Sequence, residues 1–394
     1  MRRVPVGWLA PLLLVGSLAP PAAAQAVNTQ QNQTITIRGI LSGTLYAQDA
    51  NFGLGNGQKA QFVATERDDW VFGGDVRNMR LTLGINGPEV GRGWRANGTF
   101  EIDFFGPFVG GGNFSDEQPE PRLRLAYVDL TNGRTTVRVG QAWSLTLGNI
   151  PVSTSHIGFP LGWGPGGFIG WRFPGVWFQT TLSRANAPTT TRLWLAVMRG
   201  SWQDEGTPGT DDNFSAGERS APQLEGRLEF SARNWGAYLV GHVDSKDSIN
   251  AAGDDLTSWA VEGGYRLTRG DLTLHGNVHV GRGMGHHFAQ IVQFGDIQGW
   301  GGWVQAGYNL SPRWSLWGFV GYEQPNEDDV RAAVPLANTP RLKSLLVVPM
   351  LRYASGPYSV GLEWLYNTTT VATGATTEED RKGNQILASV RYDF

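Results

Sequence analysis

The chemistry this chain could do rests first on its arginines. Only four of its 32 basic residues are lysines (Lys59, Lys246, Lys343 and Lys382), so guanidinium groups carry nearly all of the positive charge. A planar guanidinium grips both oxygens of a carboxylate, which an ammonium cannot do. In the first third of the chain Arg38, Arg80, Arg95, Arg122, Arg124 and Arg138 share one parity of alternating segments with just two acids, Glu101 and Asp103. If that parity faces water, it forms a basic wall suited to small anions. Arg138 has no acid at a neighbouring position of matching height and is the leading single candidate for a solute contact, followed by Arg124, Arg122, Arg80 and Arg38. The competing reading is structural, with Glu101 and Asp103 neutralising Arg80, Arg122 and Arg124 in a network.

Other chemistries find less support. Cysteine is absent, which excludes disulfides, thiol catalysis and thiolate metal sites. The six histidines are His156, His242, His275, His279, His286 and His287, and none sits in the His-x-Ser-Asn-Gly arrangement of the outer-membrane phospholipases. His275 and His279 share a face with Asn277, but four residues along a strand separate them by about 13 Å, too far for one metal ion. The "GHH" at 285–287 reads as loop decoration. No catalysis, cofactor or metal is expected, and the net charge of −3 gives no basic surface for nucleic acid.

These residues need elements that hold them on one face. In "GWRANGTFEIDF", Trp94, Ala96, Gly98, Phe100, Ile102 and Phe104 alternate with Arg95, Asn97, Thr99, Glu101 and Asp103, so every charge lies on one side. Alternation of this kind marks a half-buried strand. A lipid-facing Arg or Lys costs roughly 2–4 kcal/mol at the midplane of a bilayer, so this separation suits a wall between lipid and water. Sixteen such segments are predicted, at 34–46, 75–86, 93–104, 121–131, 134–144, 171–183, 190–200, 222–233, 235–244, 256–268, 271–282, 300–310, 313–323, 342–354, 358–367 and 385–394. Their connections alternate between short turns ("TN", "TR", "SP", "SGP") and long loops, the pattern of a transmembrane antiparallel β-barrel with short periplasmic turns and long outer loops. Trp94, Trp235, Tyr265, Tyr308, Trp314, Tyr353, Tyr358 and Tyr392 lie beside the short turns on the apolar parity, where an interfacial girdle belongs. A soluble propeller would repeat at about 40 residues, and no such repeat is present.

The two ends fit export to an outer membrane. "MRR", the apolar "VGWLAPLLLVGSLA" and the small-residue "PPAAAQA" read as a signal peptide over residues 1–24, with cleavage after Ala24 or, second, Ala26. A short segment, 25–33, precedes a barrel at 34–394. Mean hydropathy is only −0.26. The chain ends on "QILASVRYDF", with Phe394, Tyr392, Val390, Ala388 and Ile386 on one face and Leu387 a lone apolar residue on the other. An aromatic strand with a free edge would aggregate in water, whereas pairing with "TITIRGILSGTLY" closes the barrel. The expected surroundings are outer-membrane lipid and lipopolysaccharide, with the barrel-assembly machinery reading Phe394.

On the later strands Glu225, Glu229, Glu262, Glu323 and Glu363 outnumber Arg227, Arg266 and Arg352 on the same parity. A basic wall facing an acidic one would set up a transverse field that orients charged solutes. After the fifth predicted strand comes "SLTLGNIPVSTSHIGFPLGWGPGGFIG", rich in Gly and Pro and free of acids. The acidic stretches "QDEGTPGTDDNFSAGE", "PNEDD" and "TEEDRK" read as solvated outer loops.

"PRLRLAYVDL" at 121–130, "VRVGQAWSL" at 137–145 and the terminal "SVRYDF" resemble the DcaP-like outer-membrane porins. The likeness is specific over about 75–150 and architectural elsewhere. It implies a trimer of sixteen-stranded barrels in the outer membrane of a Gram-negative bacterium, residues 144–170 folded inward as a constriction loop, and an arginine-lined passage for small anionic solutes such as dicarboxylates; the alternatives are a general, weakly selective porin and an adhesion or envelope-tethering barrel whose pore is closed. Many members carry an N-terminal coiled coil, but only "QAVNTQQNQ" precedes the first strand here.

Overall fold

The computed structural model describes residues 25–28, 33–53, 62–106, 119–200, 221–246 and 256–394. The leader and the acidic stretch at 203–218 lie outside them. The strands are β1 (Gln25–Asn28), β2 (Thr34–Phe52), β3 (Val63–Asp75), β4 (Arg80–Gly91), β5 (Trp94–Asp103), β6 (Arg122–Thr131), β7 (Thr135–Trp143), β8 (Arg172–Thr181) and β9 (Thr190–Met198). They continue as β10 (Gln223–Ser231), β11 (Trp235–Lys246), β12 (Leu256–Arg269), β13 (Leu272–Arg282), β14 (Gln298–Asn309), β15 (Trp314–Pro325), β16 (Arg341–Ser355), β17 (Tyr358–Ala372) and β18 (Glu378–Asp393), with one short helix, α1 (Glu327–Ala333).

These segments make sixteen staves of one closed antiparallel barrel. β3 and β4 run end to end along one edge of β2, β3 pairing with Thr44–Phe52 and β4 with Thr34–Ile40. Along the other edge β18 pairs with Ile40–Gln48 and β1 continues the same line against Thr34–Ile37. Phe394 exchanges backbone hydrogen bonds of 2.9 and 3.0 Å with Gly39 between them. Closure leaves no ladder edge in the bilayer, where an unpaired peptide group would have no water to satisfy it. No helix among the described residues is long and apolar enough to cross a membrane; the strands cross it.

The faces are inverted relative to a water-soluble protein. Leu41, Leu45, Leu239, Val261, Leu316, Leu362, Ile386 and Val390 are exposed on the outside, while Ser42, Thr44, Gln48, Gln305, Gln385 and Ser389 are buried inside. Trp235, Tyr265, Tyr308, Trp314, Tyr358 and Tyr392 are exposed beside the short turns, with Trp94 and Tyr353 half-buried among them. An apolar band edged by aromatics is what lipid selects, so the barrel is an outer-membrane protein.

The sequence pattern failed at the outer rim. β17 runs on to Ala372 and β18 begins at Glu378, so "TEEDRK" is ladder, with Asp380 opposite Thr370. β3, with its charged "ERDD", was expected to be loop. Above the hydrocarbon both faces of a strand meet water, so alternation disappears while the ladder continues. "PNEDD" opens α1, where the Asn326 side chain accepts from the Asp329 N–H at 3.0 Å.

Candidate functional site: the lumen and its arginines

The lumen is shaped by residues 144–171, which leave β7 and return to β8 through a neck closed by the Ser144 N–H to Trp171 carbonyl bond of 2.8 Å. Between these ends the chain crosses to the wall formed by β14–β17. The Glu363 carboxylate on β17 accepts from the Ser153, Thr154 and Ser155 hydroxyls and from the Thr154 and Ser155 N–H groups, at 2.6–3.0 Å. Gln305 on β14 grips Val152 through both its N–H and its carbonyl, at 2.7 and 2.8 Å. Nearer the neck, the Arg227 guanidinium donates to the Leu145 and Leu147 carbonyls at 3.1 and 3.2 Å. The glycines answer to a close approach: a Cβ on Gly167 would collide with the backbone of Gly302, and one on Gly321 with Gly166. Phe159, Leu161, Trp163 and Phe168 pack with Trp303, Phe319, Leu346, Val348, Leu365 and Leu387 in an apolar cluster inside the barrel. Leu387, out of place in the sequence pattern, belongs to that cluster.

This geometry corrects the expectation of an acidic wall facing solute. Glu225, Glu262, Glu323 and Glu363 are all buried. Glu363 anchors the lumen segment, Glu225 binds the Leu145 N–H and His242, and Glu262 binds the Tyr238 hydroxyl and Asn277. Glu229 is half-buried between Arg192 and Arg227 at 3.3 and 3.5 Å. Their charge fixes loop and wall instead of crossing an open pore.

The expected arginines divide into two groups. Arg122 makes a two-toothed pair with Asp103 at 2.8 and 3.0 Å, and Arg124 reaches Glu101 at 2.8 Å and Asp103 at 2.6 Å. Arg138 was expected to lack an acid, but Asp129 lies directly across the ladder and holds it at 2.8 and 2.9 Å, with the guanidinium 3.7 Å over the Tyr127 ring. The cause is a bulge in β6 opposite Glu101 and Ile102, which shifts the parity so that Tyr127 and Asp129 face inward. Arg80 is less committed, donating to the Ile157 carbonyl at 3.2 Å and standing 3.7 Å from Glu101. Arg38 and Arg95 keep the inward parity but are exposed near the short-turn rim.

Three basic residues were not among the expected solute contacts. Arg352 and Arg391 join Arg80, Arg124, Trp143 and His156 around a cavity of about 340 Å³ on the short-turn side of the lumen segment. Arg391 pairs with Asp393, while Arg352 makes no ion pair among the described residues. Arg172 is buried with its guanidinium 4.9 Å over Trp143 and 4.5 Å over Trp171, and one of its terminal nitrogens has no hydrogen-bond partner. Closure was the available signal: β18 comes last in the chain but pairs with β2, and β16 follows it beyond β17, so Arg391 and Arg352 come round to the basic wall. Both ring nitrogens of His156 are without hydrogen bonds, the nearer one 3.9 Å from Glu363.

The remaining histidines are built in. His275 bonds Gln305 at 2.8 Å, and His279 stands 3.8 Å from Glu323. His286 and His287, expected to be loop decoration, are buried in a 3₁₀ turn, Gly285–His287, that folds back into the barrel.

No protein-family model and no curated protein sequence matches the chain. Solved structures do. The outer-membrane channel DcaP of Acinetobacter baumannii superposes with a TM-score of 0.73 at 18% identity, over 93% of this chain and 99% of that one. An anion-selective porin from Comamonas acidovorans gives 0.58 at 13% identity, over 92% and 100%. The trimer form of OmpT, an outer-membrane protein of Vibrio cholerae, gives 0.52 at 14%, over 92% and 99%. At these identities the likeness establishes architecture, and the architecture is that of the sixteen-stranded outer-membrane porins, with the DcaP channel among its structural neighbours.

Proposed function

We propose that the protein is a diffusion channel of the outer membrane that favours small organic anions, dicarboxylates above all, and works as a homotrimer without catalysis or cofactor. The observation that carries this reading is the cavity beside the lumen segment, where Arg80, Arg352 and Arg391 stand against few free acids and the inward segment contributes none. Arg122, Arg124, Arg138 and Arg391 are neutralised by their partners, so selectivity falls chiefly to Arg352, the loosely held Arg80 and the rim residues Arg38 and Arg95. Each guanidinium contact to a carboxylate is worth about 1.5–3 kcal/mol before water and salt weaken it. Contacts of that strength let a solute enter and also leave. Trimer assembly draws support from the fold shared with a porin solved as a trimer.

The reading is tested by current blockade. In planar bilayers succinate or phthalate should interrupt the chloride current, and Arg352→Gln with Arg80→Gln should weaken the blockade by about tenfold, the equivalent of 1.4 kcal/mol. Equal blockade in wild type and double variant would remove the cavity from the transport path. A monomeric mass in mild detergent would refute the trimer.

A further inference from the structure

We propose that Glu225, His242 and His287 form a binding site for a divalent transition-metal ion of the zinc class, which fastens two inward segments to the barrel wall. Glu225 on β10 and His242 on β11 face each other across the ladder, and His287 reaches them from the 3₁₀ turn between β13 and β14. One ligand atom from each residue lies within 4.8 Å of the other two, and all three side chains are buried. The two imidazoles meet edge to face with ring centres 4.6 Å apart.

The hydrogen bonds around His287 fix its tautomer in a ligating form. Gln223 donates its amide to the Arg199 carbonyl at 2.8 Å, which leaves its Oε1 to face His287 Nε2 at 3.1 Å. An amide oxygen only accepts, so Nε2 carries the hydrogen and Nδ1 presents its lone pair inward, where Thr146 Oγ1 lies 3.1 Å away. A metal-bound histidine is held the same way, its other N–H given to a carbonyl. His242 places Nδ1 3.0 Å from Glu225 Oε1, and its buried Nε2 has no hydrogen-bond partner among the described residues. Two imidazoles and a carboxylate select zinc-like ions over magnesium or calcium, which take oxygen sets.

The ion takes the place of the hydrogen between His242 Nδ1 and Glu225 Oε1; neutral His242 then carries its one proton on Nε2, and a proton leaves to solvent only where the pair was protonated. The consequence is mechanical. The Glu225 carboxylate already accepts the Leu145 N–H at the neck of the lumen segment, the His287 carbonyl accepts from Gly170 at 2.8 Å, and Phe288 stacks on Trp163 at 4.3 Å. An ion on these three ligands would cross-link both inward segments to β10 and β11.

The test uses the purified protein in detergent, stripped with a chelator and dialysed against zinc chloride, with metal counted by mass spectrometry. Wild type should retain about one ion per chain, and His242→Gln and His287→Gln should each lower retention at least tenfold. Cobalt(II) should give visible absorption bands with wild type that neither variant shows. Folding of each variant is checked by heat-modifiable migration on gels. His287 lies in a turn outside the ladder, so it serves if the His242 variant does not fold. Retention no higher than in a His242→Gln, His287→Gln double variant would overturn the proposal, as would zinc uptake that the single variants leave unchanged.

Discussion

Thr154 gives both its backbone N–H and its hydroxyl to one oxygen of Glu363, each at 2.8 Å, across the lumen from the strands that launch its segment. Ser153 and Ser155 converge on the same carboxylate. One buried acid therefore sets the position of the inward segment and with it the width of the passage. Replacing Glu363 with Ala leaves five donors to find water, and each buried donor left unsatisfied costs about 1–3 kcal/mol. The expected outcome is a larger and noisier single-channel conductance at unchanged barrel content. Conductance indistinguishable from wild type would show that Gln305, Arg227 and the apolar packing hold the segment without Glu363.

The Arg138–Asp129 pair predicts opposite effects from its two halves. Asp129→Asn releases a guanidinium into the lumen and should raise anion preference. Arg138→Gln releases a carboxylate and should lower it. Reversal potentials in a salt gradient read both, and shifts of the same sign would mean that the pair lies outside the conducting path.

Arg124 behaves differently because Glu101 and Asp103 share it in a buried network. Removing one member of such a network leaves charges unpaired, at a cost of roughly 3–5 kcal/mol. Arg124→Gln should lower the temperature at which the barrel unfolds on gels. Paired replacement with Glu101→Gln should recover part of the loss, and an unshifted transition in the single variant would contradict the network.

Much of this was legible in the sequence, and the failures have physical causes. In β5 and in the membrane-spanning parts of β10–β18 one face meets lipid and the other the lumen, so alternation records the fold directly. The bulge in β6 slips the parity by one residue, which hid Asp129 inside an apparently outward position. β3 stands where both faces are wet and leaves no pattern. Arg352 was counted with the acidic wall and Arg391 with neither wall, because adjacency across the closure of a barrel is invisible along the chain. Arg172 opens a strand after an irregular segment, where no parity can be counted.

Gly39 and Phe394 give a prediction about assembly. The Phe394 ring occupies the space that a side chain on Gly39 would take, so Gly39→Val should displace it. Deletion of Phe394 and Gly39→Val should both reduce outer-membrane levels sharply while export across the inner membrane continues. Equal abundance of the shortened and full chains in outer-membrane fractions would make the terminal aromatic mere packing.

The central claim is that the passage beside the inward segment selects anions through arginines left free by the lumen network. The most direct measurement is the zero-current potential of the wild-type channel in a planar bilayer with a tenfold potassium chloride gradient, repeated for Arg80→Gln with Arg352→Gln. The account predicts a potential of the sign set by chloride in the wild type and a shift toward zero in the double variant. A potential of the opposite sign in the wild type, reporting cation preference, would contradict it.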